Sequence, residues 1–138
     1  MILTQSDRDR LVAMLTAYGA PQSLGSARTA LMRAVDAADI VDVGTVPDSV
    51  VTMNSVVNVI DIETGAIASY TLVFPRDANA DRGKVSVLAP LGTALLGRLE
   101  GEIIEFDVSA GTKQLFIQKV TFQPESRVRH DTIRPSPL

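Results

Sequence analysis

Two short stretches contain acidic residues at a spacing that could support catalysis or metal binding. Glu100 and Glu102 stand two positions apart, a spacing at which two carboxylates can share general acid–base work. Asp77, Asn79 and Asp81 have the alternate spacing of a calcium-binding loop. No glutamate follows where such a loop places its bidentate ligand. We therefore interpret both stretches as solvated turns without catalytic or metal-binding roles.

Other groups that carry catalysis are scarce in this chain. The sequence has no cysteine and a single histidine, His130. A Ser-His-Asp triad, a thiol nucleophile and a cysteine or histidine metal site therefore lack the residues they need. The sequence also has no glycine-rich phosphate-binding loop. We predict that the protein is not an enzyme and that it binds no cofactor and no metal.

Composition and charge predict a folded binding protein. Hydrophobic residues make up 46% of the 138 residues and charged residues 21%, a balance typical of globular domains. The net charge is −3, and the basic residues are scattered instead of forming a phosphate-binding stripe. We therefore predict no direct specific binding to nucleic acid. The sequence shows neither a signal peptide nor a long uncharged apolar run, so we expect a cytoplasmic protein without membrane contact.

Residues 4–40 carry apolar side chains at helical spacing. A break that contains Gly19 and Pro21 divides the pattern into two helices, and Thr4 or Ser6 is expected to cap the first. So short a break predicts an antiparallel helical hairpin, a stubby coiled-coil finger. The expected finger tip consists of Tyr18, Gly19, Ala20, Pro21, Gln22 and Ser23.

After residue 44 the apolar pattern changes to the two-residue alternation of β-strands. One short helix interrupts it, beginning at Pro90 and ending before Gly97. The fold class is therefore α+β, with a helical hairpin over 1–44, an antiparallel β-sheet domain over 45–124 and a flexible tail over 125–138. The β-rich stretches are residues 50–62, 67–74, 84–88, 101–108 and 113–122.

Five motifs in the β half agree in type, order and spacing with one known family. They are VTMNS at 51–55, TLVFP at 71–75, VSVLAPLGTALLG at 85–97, GEII at 101–104 and VTFQPE at 120–125. Through them the region from about residue 48 to 125 resembles the Rnk family, named as regulators of nucleoside diphosphate kinase. That family falls within the superfamily of GreA/GreB transcription elongation factors. The helical hairpin matches in position and shape only.

The resemblance implies an FKBP-like fold for the β domain and bacterial RNA polymerase as the partner. In such factors the C-terminal domain grips the rim of the polymerase secondary channel, and the finger points into the channel. The loop before the short helix is the family's docking element. The resemblance therefore assigns partner binding to Leu88, Ala89, Pro90, Gly92 and Leu95.

The finger separates two kinds of Gre-type factor. Factors that stimulate transcript cleavage carry acidic residues at the tip, because a bound magnesium ion requires carboxylate oxygens. Residues 18–23 contain no acid, and the acidic residues of the hairpin fall at its base, at Asp7, Asp9, Asp36 and Asp39. We therefore predict a polymerase-binding transcription regulator without cleavage activity.

Two other functions stay open from the sequence. One is a free-standing interaction module that regulates nucleoside diphosphate kinase, as the family name suggests. The other is an FKBP-type prolyl isomerase, although aromatic residues are only 4% of the chain and its phenylalanines fall in strand patterns typical of a core. If Leu11, Met14 or Leu31 is exposed on the hairpin, the finger can also pair with a second copy.

Overall fold

The computed structural model describes residues 1–17 and 25–125 of the chain. Within them a strand and two helices precede a short second strand, and the β-rich part follows. The elements are β1 (Ile2–Thr4), α1 (Gln5–Ala17), α2 (Gly25–Asp36), β2 (Asp39–Val41), β3 (Val56–Asp61), β4 (Ile67–Val73), β5 (Lys84–Ser86), α3 (Pro90–Leu95), β6 (Ile103–Val108) and β7 (Gly111–Phe122).

Helix α1 begins at the cap that the sequence predicts. The hydroxyl oxygen of the buried Thr4 accepts a hydrogen bond of 3.1 Å from the backbone N–H of Asp7. This bond satisfies one of the N–H groups that the start of a helix leaves free. Helix α2 contacts α1, and Arg28 Nε donates to the carbonyl of Leu15 at 2.9 Å. The predicted finger tip, residues 18–23, lies outside the described residues.

Two short parallel strands lie at the base of the helices, where the sequence predicts only helix. Strand β1 pairs with β2, with Ile2 opposite Asp39 and Thr4 opposite Val41. The prediction of a helix up to residue 40 was therefore wrong for its last four residues. The backbone N–H of Asp39 donates instead to the carbonyl of Met1 at 2.8 Å. Strands of three residues are too short to show a two-residue period in the sequence.

The apolar side chains of the two helices face the core. Leu11 and Leu31 have no exposed surface, and Met14 is half-buried. They pack in the same hydrophobic cluster as Val57 and Leu72 of the sheet. The exposed leucine face that pairing of two fingers would need is therefore not present in the described part of the helices. The chain divisions at residues 44 and 124 stay predictions.

The larger sheet has the strand order β5-β4-β3-β7-β6. Its neighbouring strands are antiparallel except for β4 and β5, which run parallel. Val57 of β3 lies opposite Tyr70 and Val120, so these three side chains share the inner face. The predicted α+β class with a mostly antiparallel sheet is confirmed. Within residues 1–17 and 25–125, no helix is long and apolar enough to span a membrane.

Helix α3 closes the inner face of this sheet, where the sequence places a short helix. Pro90 is its first residue, Leu95 and Leu96 are buried, and Gly97 follows with a φ of 74°. Proline fits the first helical position because the N–H that it lacks has no helical partner there. The helix contacts β4, β5 and β6, so it fixes the loop that enters it against three strands.

Candidate docking site

The candidate docking loop consists of Leu88, Ala89 and Pro90, between β5 and α3. The backbone N–H of Leu88 donates to Ser86 Oγ at 3.1 Å, and that of Ala89 donates to the Ser86 carbonyl at 3.0 Å. Leu88 and Ala89 are half-buried, whereas Pro90 is exposed. Since Ser86 bonds both loop residues and proline restricts its own backbone, the loop presents Pro90 in one shape.

Helix α3 holds the loop from below. Thr93 Oγ1 donates to the carbonyl of Val87 at 2.7 Å, and the N–H of Val87 donates to the carbonyl of Val73 at 2.9 Å. Gly92 packs directly on the loop entrance, where a Cβ atom would stand 1.9 Å from the Ser86 carbonyl oxygen. The close approach of α3 therefore requires glycine at this position.

Two of the five predicted partner-binding residues are buried. Gly92 lies under the loop, and Leu95 has no exposed surface. Neither presents atoms to a partner, so both act as supports for Leu88, Ala89 and Pro90. The sequence motif contains all five residues, because its spacing does not distinguish residues that contact a partner from residues that support the loop. It gave no role to Ser86 and Thr93, whose hydrogen bonds set the shape of the loop.

Replacing Thr93 with valine is expected to lower the free energy of unfolding by about 1 kcal/mol, because the Val87 carbonyl then loses its hydroxyl partner. Valine has nearly the same shape, so packing is preserved. Urea denaturation measures the change. Thr93→Ser keeps the hydroxyl and serves as the control. If both variants are equally stable, the hydrogen bond has no role in fixing the loop.

A groove of about 310 Å³ lies beside the docking loop. Strands β4 and β5 are parallel, with Val73 opposite Ser86, so the residues that follow both strands emerge at the same edge of the sheet. Helix α1 provides the other wall. The guanidinium carbon of Arg10 stands 4.5 Å from the centre of the Phe74 ring. The lining residues are Arg10, Ala13, Met14, Phe74, Pro75 and Arg76.

A buried carboxyl pair connects α1 to the last described residue. Asp7 and Glu125 are only 4% and 6% exposed. Asp7 Oδ2 accepts a hydrogen bond of 3.2 Å from the N–H of Met53, and Thr52 Oγ1 donates to Glu125 Oε1 at 2.6 Å. Burial, and secondly the charge of Glu125, raises the pKa of Asp7 to about 6.

The two residues lie in segments to which the sequence gives no buried acid. Asp7 belongs to the expected acidic base of the finger, and Glu125 to the expected flexible tail. Glu125, the first residue of the predicted tail, is therefore buried. Asp7 and Glu125 are far apart in the sequence, so no local sequence pattern predicts that they lie close together.

Glu100 and Glu102 do not form an acid–base pair. Glu100 Oε1 accepts a hydrogen bond of 2.7 Å from the N–H of Val120. Glu102 lies 3.9 Å from Arg98. The hydrogen bond of Glu100 holds the turn that precedes β6 against strand β7. The sequence predicts a solvated edge at this position. Among the described residues, no group of three histidine, aspartate or glutamate side chains is placed to hold a metal ion.

A second cavity, of about 300 Å³, lies between the sheet and α3. Tyr70, Leu91 and Phe106 are among its lining residues. The phenylalanines predicted for the core differ in burial: Phe74 is buried, Phe106 is half-buried and Phe122 is 41% exposed. The core prediction was therefore wrong for Phe122, the last residue of β7, which pairs with Val56 beyond a register shift in β3.

Comparison with known proteins identifies the family to which this fold and loop belong. The family model described as "Transcription elongation factor, GreA/GreB, C-term" matches residues 46–122, and the chain belongs to this family. The match covers the whole of the larger sheet together with α3. The resemblance expected from the five sequence motifs is confirmed.

Individual relatives carry two kinds of name. The regulator of nucleoside diphosphate kinase of Escherichia coli (strain K12) is 34% identical over 98 residues, which are 70% of this chain and 72% of that protein. The transcription elongation factor GreA of Dehalococcoides mccartyi is 35% identical over 91 residues, 66% of this chain and 56% of that protein. The chain spans about half the length of the GreA relatives it matches.

A solved structure shows the same fold over most of the chain. It is the prokaryotic transcription elongation factor GreA/GreB from Nitrosomonas europaea, with a TM-score of 0.73 and 32% sequence identity. The alignment covers 88% of this chain and 98% of that one. The likeness therefore extends beyond the residues of the family match into the N-terminal part.

Proposed function

We propose that this protein is a transcription regulator that binds bacterial RNA polymerase at the rim of the secondary channel, with Leu88, Ala89 and Pro90 as the main contacts. The observation that carries the proposal is the family match over 46–122 together with a docking loop held in one shape by Ser86 and Thr93. A preformed loop loses little conformational freedom on binding, so its contacts contribute fully to affinity.

We also propose that the protein is not an enzyme and does not stimulate transcript cleavage. The support is the absence of any acidic residue in residues 18–23. Carboxylates would be needed there to hold a magnesium ion in the polymerase site. Of the acids at the base of the helices, Asp7 is buried and already accepts a backbone hydrogen bond. A stalled elongation complex treated with this protein should therefore release no additional cleaved transcript.

Binding is tested by co-elution with bacterial core RNA polymerase on a sizing column. The wild type is expected to co-elute, and a variant combining Leu88→Asp with Pro90→Ala is expected to bind at least about tenfold more weakly, since it places a charge in the contact and frees the loop. Pro90→Ala alone, at an exposed position, covers the case in which the double variant does not fold.

A control makes two similar changes in another loop. Val43→Asp combined with Pro47→Ala alters an exposed apolar residue and an exposed proline, between β2 and β3. This control should bind as the wild type does. Equal binding by the loop variant and the control removes residues 88–90 from the interface, and failure of the wild type to bind removes polymerase as the partner.

A second candidate is regulation of nucleoside diphosphate kinase. The observation that favours it is the E. coli relative of that name, of which this chain covers 72%. A pull-down with purified nucleoside diphosphate kinase separates the two proposals, because only this one expects a stable complex with the kinase. A prolyl isomerase would have to use the cavity beneath α3, and a prolyl-peptide turnover assay should show no activity above the uncatalysed rate.

A further inference from the structure

We infer that the groove between α1 and the segment after β4 is a second docking surface, which binds a segment of the polymerase that carries carboxylates beside an apolar side chain. The inference rests on the proposed function and adds a contact that the docking loop does not provide.

The floor of the groove is apolar, and it is accessible mainly through the exposed Ala13 and the half-buried Met14, since Phe74 is buried. Phe74 and Pro75 form one side, and Ala13 and Met14 form the other. Ala13 and Met14 follow Arg10 by three and four residues, so all three share one face of α1. A volume of about 310 Å³ is at the lower end for ligand pockets, which are about 300–1,000 Å³. It therefore fits one or two apolar side chains and not a large cofactor.

The rim of the groove is positively charged. Arg10 stacks on the Phe74 ring, which holds its planar guanidinium in place beside the opening. The side chain of Arg76 is 79% exposed, and its Nε lies 3.9 Å from Asp77 Oδ2. An ion pair this exposed contributes little to stability. Within the described residues Arg10 takes part in no ion pair. The charge of Arg10 also acts on the buried Asp7. Each guanidinium has five N–H donors, so both arginines can still pair with carboxylates on a partner.

The groove and the candidate docking loop lie at the same edge of the sheet. Val73 and Ser86 are paired at the ends of the parallel strands β4 and β5, and Val87 bonds the Val73 carbonyl. One wall of the groove begins at Phe74 and the loop begins at Leu88, so both follow directly from this pairing. One partner segment that binds this edge of the sheet could therefore contact both the loop and the groove.

A protein segment fits this groove better than a nucleic acid does. Two arginines neutralise few phosphates, and the chain as a whole has a net charge of −3. A phosphate backbone would also leave the half-buried Met14 and Pro75 in contact with water. An apolar side chain flanked by glutamate or aspartate covers the floor and pairs with both arginines.

The test measures the affinity of fluorescently labelled protein for bacterial core RNA polymerase at several salt concentrations. Arg10→Glu combined with Arg76→Glu is expected to weaken binding at least tenfold and to flatten its dependence on salt, because two attractive charges become repulsive. Arg76→Glu alone changes a mostly exposed side chain and should weaken binding several-fold even if the double variant is unstable. The matched control combines Arg33→Glu with Arg82→Glu, two exposed arginines outside the groove.

Each outcome decides the inference. Weaker binding by the groove variants than by the control supports it. If the wild type, the groove variants and the control all bind equally, the groove is not a docking surface and the proposed function stands. If the wild type does not bind polymerase, both proposals fall. If the groove substitutions instead remove binding of a single-stranded RNA oligonucleotide, the arginines hold phosphates and the inference is overturned.

Discussion

Replacing Gly92 with alanine is expected to destabilise the protein by about 3 kcal/mol and to disrupt the docking loop. A Cβ atom at this position would stand 1.9 Å from the carbonyl oxygen of Ser86, 2.7 Å from its carbonyl carbon and 2.9 Å from the Cα of Val87. All three atoms belong to the backbone, so no side chain can rotate to make room. Either α3 moves away from β5 or the hydrogen bonds that fix residues 88–90 break.

Urea denaturation of the wild type and of Gly92→Ala measures the loss of stability. Polymerase binding by the same two proteins measures the consequence for the loop. Gly44→Ala is the matched control, since a Cβ atom there meets nothing within 4 Å. The two alanine variants should therefore differ by several kcal/mol in their free energies of unfolding. If Gly92→Ala unfolds at the same urea concentration as Gly44→Ala, α3 does not pack on the loop as closely as described.

The second large effect is a dependence of stability on pH that is set by Asp7. Burial, and secondly Glu125, raises its pKa from 3.8 to about 6 in the folded protein. The folded state therefore holds this proton more tightly than the unfolded state does. The stabilisation from this group is complete below about pH 4 and is lost as the pH rises through 6. At about 1.36 kcal/mol for each pKa unit, the loss is about 3 kcal/mol.

Asp7→Asn removes this titration while keeping an oxygen that can accept from Met53. Its free energy of unfolding relative to the wild type should rise by about 2–3 kcal/mol between pH 4 and pH 8. Comparing the two proteins at each pH cancels other groups, such as Asp61. The pKa of Asp61 is lowered, chiefly because the N–H of Thr64 donates to its carboxylate. Asp61 therefore stabilises the folded protein more as the pH rises, opposite to Asp7.

Urea denaturation at pH 4, 5, 6, 7 and 8 tests this prediction. Asp9→Asn, which removes an exposed carboxylate from the same helix, controls for the loss of one negative charge. A difference between Asp7→Asn and the wild type that is constant over this range would show that Asp7 is not held in a buried pair with Glu125.

The strands and the short helix of the β domain were predictable because their signals are local. Alternation marked β3, β4, β6 and β7 to within a few residues, apart from the earlier start at residue 50. Pro90 and Gly97 marked the limits of α3 because each has a conformational reason to stand there. The candidate docking loop stays a prediction that rests on the resemblance, whose motif contains both exposed and buried residues.

The contacts between distant parts of the chain were not predictable from local patterns. Asp7 comes within electrostatic range of Glu125, and Arg10 stacks on Phe74, only because α1 packs against the sheet. Helical periodicity shows which residues of α1 face inward and does not show what they meet. The parallel pairing of β1 with β2 was not predicted for a related reason. It joins two three-residue stretches from opposite ends of the helical region.

The strand order also sets when the protein can fold during its synthesis. Strand β3 pairs with β4 across a short turn, and β6 pairs with β7 in the same way, so each hairpin can form early. The core strand β3 has its other neighbour in β7, far along the chain. Until β7 leaves the ribosome, one edge of β3 is unpaired and Val59 has no partner in Ile117. The sheet therefore closes as a late, non-local event, which exposes an open strand edge to chaperones on the growing chain.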